Sequence, residues 1–438
     1  MLNGIEDITD RINTQIMKET RICVIGLGYV GLPLARLFST RYETVGFDLN
    51  PARVKSLMEG HDATLEVSDE VLQDAIKEHG FKCTTDIEEI RRCNFYVVAV
   101  PTPVDENNRP DLKPLIGASE TVGKVIGRGD VVVYESTVYP GVTEEECIPV
   151  VERVSGLRFN VDFYAGYSPE RINPGDKTHT VEKIKKVTSG STPEIADYVD
   201  DVYNGVLVNG THKAPSIKVA EASKIIENSQ RDVNIALMNE LAKIFNAMGI
   251  DTHDVIDAAS SKWNFIRLSP GLVGGHCISV DPSSLIQKAQ VYGVLPRVMI
   301  NARRLNDGMG AYVANQTIKC MNKKGLVVKD AKILVLGVTF KENCPDIRNT
   351  KVVDIYHTLA EYTDKITVYD PWVDPDIVRQ EYGIEVVKDL PPQKYDVCIA
   401  AVAHKQFNEM DLLSLLNPLH VIYDVKGMLA REIVDGRL

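Results

Sequence analysis

The sequence predicts an α/β fold of two Rossmann-like, doubly wound parallel sheets joined by a long central helix. Three observations carry this. From Arg21 to Asp48 an apolar strand, a glycine-rich turn, an apolar-periodic helix and a strand ending in aspartate follow one another. After residue 320 the pattern returns: Lys332-Ile-Leu-Val-Leu-Gly337 echoes Arg21-Ile-Cys-Val-Ile-Gly26, and Ile366-Thr-Val-Tyr-Asp370 echoes Thr44-Val-Gly-Phe-Asp48. Between them, from Pro215 to about Met248, apolar positions recur at helical spacing with no glycine or further proline.

Bulk properties bound the reading. At 438 residues the chain has room for two or three domains, and 44% hydrophobic with 25% charged residues is a globular composition. A net charge of −12 without a long basic run argues against a nucleic-acid platform. An anionic ligand would then be held by local lysines, arginines and helix N-termini. The eight cysteines show neither CxxC pairs nor metal-ligand spacing, so no metal site or disulfide framework is expected and a reducing cytoplasm fits. No apolar run approaches the ~18 residues of a membrane span. Residues 1–20 are polar and acidic and read as an exposed leader or short helix.

In chain order, the first turn is Gly26-x-Gly28-Tyr29-Val30-Gly31. Its glycines suit a tight turn, approach of a pyrophosphate and close helix packing. Asp48, about twenty residues on, suits ribose hydroxyls and so favours NAD over NADP, although Arg53 is a residue type that also accepts a phosphate. Two strands, Asn94–Val100 and Asp130–Thr137, bring Thr102 and Thr137 to their carboxyl ends, where ligands sit in such sheets; a cap or turn role is the alternative. A helix is expected over Thr143–Val154. A loop after Tyr164 presents Glu170 and Arg171, and taken alone this glutamate reads as solvated. On the long helix, Lys224 and Asn228 share a face, with a solvated polar edge as the other reading. Such a helix suits a domain connection and a dimer interface.

The stretch Pro270-Gly-Leu-Val-Gly-Gly-His-Cys-Ile-Ser-Val-Asp-Pro282 leads glycines into Cys277, with Asp281 four residues later and a helical pattern from Ser283. If the helix begins by Cys277, thiol and carboxylate share its first face, and the helix N-terminus favours the thiolate. That suits covalent catalysis with a proton-transfer partner; a buried free cysteine beside a turn fits these residues too. In the second sheet, the turn Gly337–Thr350 lacks the three-glycine spacing but carries Lys341 and Arg348, which suit a second nucleotide-type ligand. Cys344 there precedes proline and ranks below Cys277.

Six motifs stand in order: Gly26-Leu-Gly-Tyr-Val-Gly-Leu-Pro33, Val100-Pro-Thr-Pro103, Glu135-Ser-Thr-Val138, Ser168-Pro-Glu-Arg171, Gly274-Gly-His-Cys-Ile278 and Thr339-Phe-Lys-Glu-Asn343. Through them the chain resembles the UDP-glucose/GDP-mannose dehydrogenase family along essentially its whole length. Tyr134–Pro140, Gly166–Gly175, Ser261-Lys-Trp-Asn-Phe265 and Phe340–Asn349 carry a narrower likeness to the branch acting on UDP-N-acetylhexosamines in bacterial surface polysaccharide synthesis, of the Vi-antigen and O-antigen kind. That branch usually has two tyrosines where this chain has Ser283 and Ser284.

The resemblance implies three regions: an NAD-binding domain over 1–212, a helical dimerisation and catalytic region over 213–320, and a UDP-sugar-binding domain over 321–438. It implies oxidation of C6 of a nucleotide sugar to a carboxylate with NAD. Cys277 would be the nucleophile, Lys224 the stabiliser of developing oxyanions, Asn228 a positioning group and Asp281 a proton-transfer partner. Glu170 and Thr137 would order the hydrolytic water. Gly26, Gly28, Tyr29, Val30, Gly31, Asp48, Arg53, Thr102 and Thr137 would line the NAD site, with Arg348 reaching it. Glu170, Arg171, Lys224, Asn228, Arg267, Gly271, Gly274 and Lys341 would contact the UDP-sugar. UDP-N-acetylglucosamine is the first expectation; UDP-N-acetylgalactosamine and UDP-glucose are alternatives. No metal, nucleic acid or membrane is expected, and the enzyme would be a cytoplasmic homodimer or higher oligomer. Two other readings are a two-electron hydroxyacid or sugar-acid dehydrogenase, which needs no thiol, and a non-catalytic nucleotide-sugar-binding protein.

Overall fold

The computed structural model describes residues 20–103, 110–171, 180–275 and 277–438. The expected leader therefore lies outside the described residues. By internal contacts the chain forms two compact units, 1–227 and 228–438.

The first unit holds a six-stranded parallel sheet: β1 (Arg21–Ile25), β2 (Glu43–Phe47), β3 (Lys82–Thr84), β4 (Phe95–Val98), β5 (Val131–Tyr134) and β6 (Tyr164–Tyr167). The order is β3-β2-β1-β4-β5-β6, all pairs parallel. This order reverses direction between β1 and β4, where doubly wound sheets open a ligand crevice. Alternate residues of β1 serve opposite faces: Cys23 and Ile25 join one buried cluster, Ile22 and Val24 the other. Burial on both faces explains why these strands read as unbroken apolar runs. A two-stranded parallel pair, β7 (Lys186–Thr188) and β8 (Thr211–Lys213), completes the unit.

The second unit repeats the design. β9 (Ile333–Leu336), β10 (Ile366–Tyr369), β11 (Val386–Val387), β12 (Tyr395–Ala400), β13 (Leu416–Asp424) and β14 (Gly436–Arg437) form a sheet of order β11-β10-β9-β12-β13-β14. Its two faces are again buried, one around Ile333, Val335 and Ile399, the other around Leu334, Leu336 and Cys398.

The long helix runs Ile217–Met248, 32 residues, or about 48 Å at 1.5 Å per residue. Two local expectations differ from the structure. The helix after β5 starts as a π-helical turn, Thr143–Cys147, before continuing as Ile148–Ser155; Pro149 lacks the N–H that the ladder would use. The helix expected from Ser283 begins earlier, spanning Cys277–Val291 with Pro282 inside it. The proline removes one ladder bond near the start, where few are yet made.

Candidate functional site

The glycine turn is built by backbone geometry. Gly26 sits at φ +91°, a left-handed conformation that side chains rarely adopt, and its N–H donates to Phe47 O at 2.8 Å. A Cβ on Gly31 would stand 1.8 Å from Gly26 O, whereas one on Gly28 would meet open space. Gly31 thus serves helix packing, and Gly28 leaves room for a ligand. The helix Gly31–Ser39 begins after Val30, which has no side-chain acceptor, so no side chain caps its first N–H groups. Tyr29 beside it is half exposed. Asp48 fixes the turn: its Oδ2 accepts from Leu27 N and its Oδ1 from Asn50 N, both at 2.9 Å. Its carboxylate remains partly exposed. Arg53 donates through Nε to Leu27 O at 2.9 Å and pairs with Asp62 at 2.7 Å. Its guanidinium therefore clamps the glycine turn to a buried carboxylate. Burial would raise the Asp62 pKa, but bonds from Thr64, Val67 and Arg53 hold it below the usual range.

The ends of β4 and β5 are tied together. Thr102 Oγ1 donates to Thr137 O at 2.9 Å, and Ser136 Oγ to Val100 O at 2.6 Å. Past Thr137 the chain meets the long helix through Glu221. This fully buried carboxylate accepts from Gly141 N at 2.6 Å and Thr143 N at 2.9 Å. Lys224, one turn further along, is buried as well.

Glu170 is not solvated. It is 7% exposed, and its Oε1 accepts from Arg171 N at 2.5 Å. Arg171 donates to Glu227 Oε1 on the long helix at 2.5 Å and to Lys185 O at 2.8 Å. Beneath Glu170 lie three groups that the sequence reading passed over. Lys186 Nζ stands 3.7 Å from Glu170 Oε2 and donates to Glu135 Oε2 at 2.6 Å; Tyr203 OH donates to Glu135 Oε1 at 2.5 Å. A glutamate directly after four apolar strand residues was the available signal.

In the second unit, Asn228 Nδ2 donates to Asp281 Oδ2 at 2.5 Å, and both residues are buried. Cys277 opens the helix that carries Asp281; its side chain lies outside the described residues. Ser284 is buried and Ser283 half-buried in the next turn. Asn239 grips Gly271, accepting from its N–H at 2.8 Å and donating to its carbonyl at 3.0 Å. Gly274 and Gly275 pack against Phe340 and Asn349, and a Cβ on Gly274 would lie 2.8 Å from Asn349 O. Gly275 N donates to Arg348 O at 2.9 Å. This packing joins the loop before Cys277 to the turn that carries Lys341. Arg348 forms a forked pair with Asp346, and Arg267 pairs with Asp257 at 2.5 Å and with Ser260 at 3.2 Å. Both arginines are about half exposed.

The structure therefore brings together Thr102 with Thr137, Asn228 with Asp281, and Gly271 to Gly275 with the Lys341 turn. It gives Arg53, Arg267 and Arg348 carboxylate partners within their own units. The turn, the partly exposed acid and the uncapped helix start fit a dinucleotide.

Comparison with known proteins assigns this arrangement. Residues 20–207 match the NAD binding domain of the UDP-glucose/GDP-mannose dehydrogenase family, 218–308 its central domain and 334–431 its UDP binding domain. A UDP-N-acetyl-D-glucosamine 6-dehydrogenase of Pseudomonas aeruginosa is 56% identical, covering 96% of this chain and 100% of that protein. One of Salmonella typhi is 55% identical, covering 96% and 99%. Among solved structures, a UDP-D-ManNAc dehydrogenase from Pyrococcus horikoshii is 28% identical with a TM-score of 0.84, covering 94% of this chain and 96% of that one. The chain belongs to the UDP-glucose/GDP-mannose dehydrogenase family and is an NAD-dependent oxidoreductase.

Proposed function

We propose that the protein oxidises the C6 hydroxymethyl of UDP-N-acetylglucosamine to a carboxylate, a four-electron reaction serving bacterial surface polysaccharide synthesis. The observation that carries this is the 56% identity, over 96% of the chain, to a UDP-N-acetyl-D-glucosamine 6-dehydrogenase. NAD, when bound, supplies the acceptor for the hydride lost in each of the two oxidations. The Gly26–Gly31 turn and the start of its helix would hold the pyrophosphate, Asp48 the ribose, and Thr102 and Thr137 the nicotinamide end, with Arg348 a further cofactor-binding residue in this reading.

The chain's own groups do the rest. Cys277 sulfur adds to the C6 aldehyde, and the adduct's oxyanion is steadied by Lys224. Asn228 positions the reacting oxygen, and Asp281, its hydrogen-bond partner, passes protons. After the second oxidation the sugar is a thioester. Water oxygen then bonds the carbonyl carbon, Glu170 takes a water proton with Thr137 ordering the water, and the carbon–sulfur bond breaks with its electron pair left on Cys277. Lys341, Arg171, Arg267 and the Gly271–Gly274 loop hold the UDP-sugar. In this reading residues 1–212 hold NAD, 213–320 carry catalysis and dimerisation, and 321–438 hold the UDP-sugar. Exposed Leu237 and Ile244 on the long helix support a homodimer or higher oligomer; among the described residues no helix is long and apolar enough to cross a membrane, and the reading puts the enzyme in the cytoplasm.

The test is NADH formation against UDP-N-acetylglucosamine, UDP-N-acetylgalactosamine, UDP-glucose and GDP-mannose. The highest kcat/KM is expected with the first; a higher value with any other sugar overturns the assignment.

A further inference from the structure

Glu135, Lys186 and Tyr203 form a polar group in the interior of the first unit with no role so far. Their exposures are 0%, 1% and 0%. Backbone approach brings them together. Gly166 and Gly190 form an antiparallel bridge, and a Cβ on either would meet backbone atoms at 2.7 Å or less. That contact lays the segment just after β7 along β6, and Lys186, at the start of β7, reaches the Ser168–Arg171 loop. Lys186 Nζ donates to Glu135 Oε2 at 2.6 Å and to Pro169 O at 3.2 Å, lies 5.6 Å over the Tyr203 ring and stands 3.7 Å from Glu170 Oε2. One ammonium thus serves two carboxylates.

A buried ion pair is poor value for stability alone, because desolvation offsets its attraction and apolar residues of like volume do as well. Here the cation also reaches the carboxylate read above as the base for hydrolysis. We propose that Glu135, Lys186 and Tyr203 are positioning residues for Glu170: the Lys186 ammonium, anchored by Glu135 and Tyr203, holds the Glu170 carboxylate aimed for the water that cleaves the thioester. This rests on the hydrolytic reading of Glu170. Among the described residues, the charged and titratable groups around Glu170 include Lys186 on β7, Glu135 after β5, Tyr203 on the helix Pro193–Asn204, and its neighbour Arg171, which is paired with Glu227. Burial pushes Glu135 up to about 7 against the pull of Lys186. Burial likewise acts to discharge Lys186, but Glu135 and Glu170 outweigh it and hold its pKa above the ordinary lysine value. The three groups therefore share charge, and changing one moves the others.

Opposite perturbations follow. Glu135→Gln leaves Lys186 with Glu170 as its one carboxylate, which makes Glu170 a weaker base that ionises at lower pH. Lys186→Met removes the cation that stands between the two carboxylates, so Glu170 ionises at higher pH. The experiment uses the full chain with NAD and UDP-N-acetylglucosamine. It follows the decay of the substrate-derived adduct on the protein by intact mass, from pH 5 to 9, in the wild type, Glu135→Gln, Lys186→Met, Lys186→Arg and Glu170→Gln. The acidic limb of adduct decay is expected to move down by roughly a pH unit in Glu135→Gln and up by roughly a unit in Lys186→Met. Lys186→Arg should return it toward the wild type. Should Lys186→Met not fold, the near-isosteric Glu135→Gln decides by the direction of its shift. If Glu170→Gln accumulates adduct while Glu135→Gln and Lys186→Met keep the wild-type profile, this inference fails and the reading of Glu170 stands. If Glu170→Gln clears adduct at the wild-type rate, that reading fails and this inference with it.

Discussion

Asp48 and Asp370 occupy the same place in two sheets of the same strand order. Each follows the second strand, and each accepts a backbone N–H from the residue after the first-turn glycine: Leu27 N at 2.9 Å for Asp48, Val338 N at 2.7 Å for Asp370. Even the glycines correspond, Gly26 at φ +91° and Gly337 at φ +88°. The surroundings then diverge. Asp48 keeps a partly exposed carboxylate, whereas Asp370 is fully buried and shared with His404 Nε2 at 3.2 Å.

His404 explains the change. Asn343 N donates to its Nδ1 at 2.8 Å, so the ring proton sits on Nε2 and faces Asp370 and Thr339. Lys405 N in turn donates to Asn343 Oδ1 at 2.9 Å. These bonds pin the turn that bears Lys341. One backbone plan has thus become an open dinucleotide turn in one unit and a closed, hydrogen-bonded turn presenting cations in the other. Function here follows from what fills the crevice, not from the sheet that makes it.

The largest effect expected from breaking this contrast is at Gly31. Gly31→Ala drives a methyl into Gly26 O, and NAD binding by titration should fall about a hundredfold or more, roughly 3 kcal/mol. Asp370→Ala leaves His404 and three backbone N–H groups, those of Val338, Thr339 and Trp372, without their buried acceptor. Unfolding should show a loss of about 3 kcal/mol, with the KM for NAD unchanged. Asp48→Ala, the matching change in the first sheet, should raise the KM for NAD about tenfold, as loss of a charged hydrogen bond does, and leave the KM for the UDP-sugar unchanged. If the two aspartate variants show the same pattern, the contrast is wrong.

The smallest effect is in acid. Burial would raise Asp370, but bonds from His404, Val338 N and Trp372 N hold it below the ordinary carboxylate range. Its stabilisation is complete above the unfolded pKa, about 4, and is lost as pH falls through the lowered folded value. The Tm gap between the wild type and Asp370→Asn should therefore narrow below about pH 4.

Much of this was legible in the sequence. The doubly wound sheets, the glycine turn, Asp48 and the placing of Lys224 with Asn228 on the long helix follow from local periodicity and spacing; the hydrogen bond from Asn228 to Asp281, 53 residues apart, does not. The groups that were missed are assembled by topology. Glu135 and Lys186 are 51 residues apart, Glu135 and Tyr203 68, and Asp370 and His404 34. No local pattern links such pairs, and Lys185-Lys186 gives no hint of which lysine turns inward. Glu170 was misjudged on local grounds for the same reason: its burial comes from β7, which is remote in sequence.

The central claim is a four-electron oxidation through Cys277, and the count of NADH formed per UDP-N-acetylglucosamine consumed tests it most directly. Two NADH per sugar, abolished in Cys277→Ser, is the predicted result. One NADH per sugar, with a fully active serine variant, would contradict it.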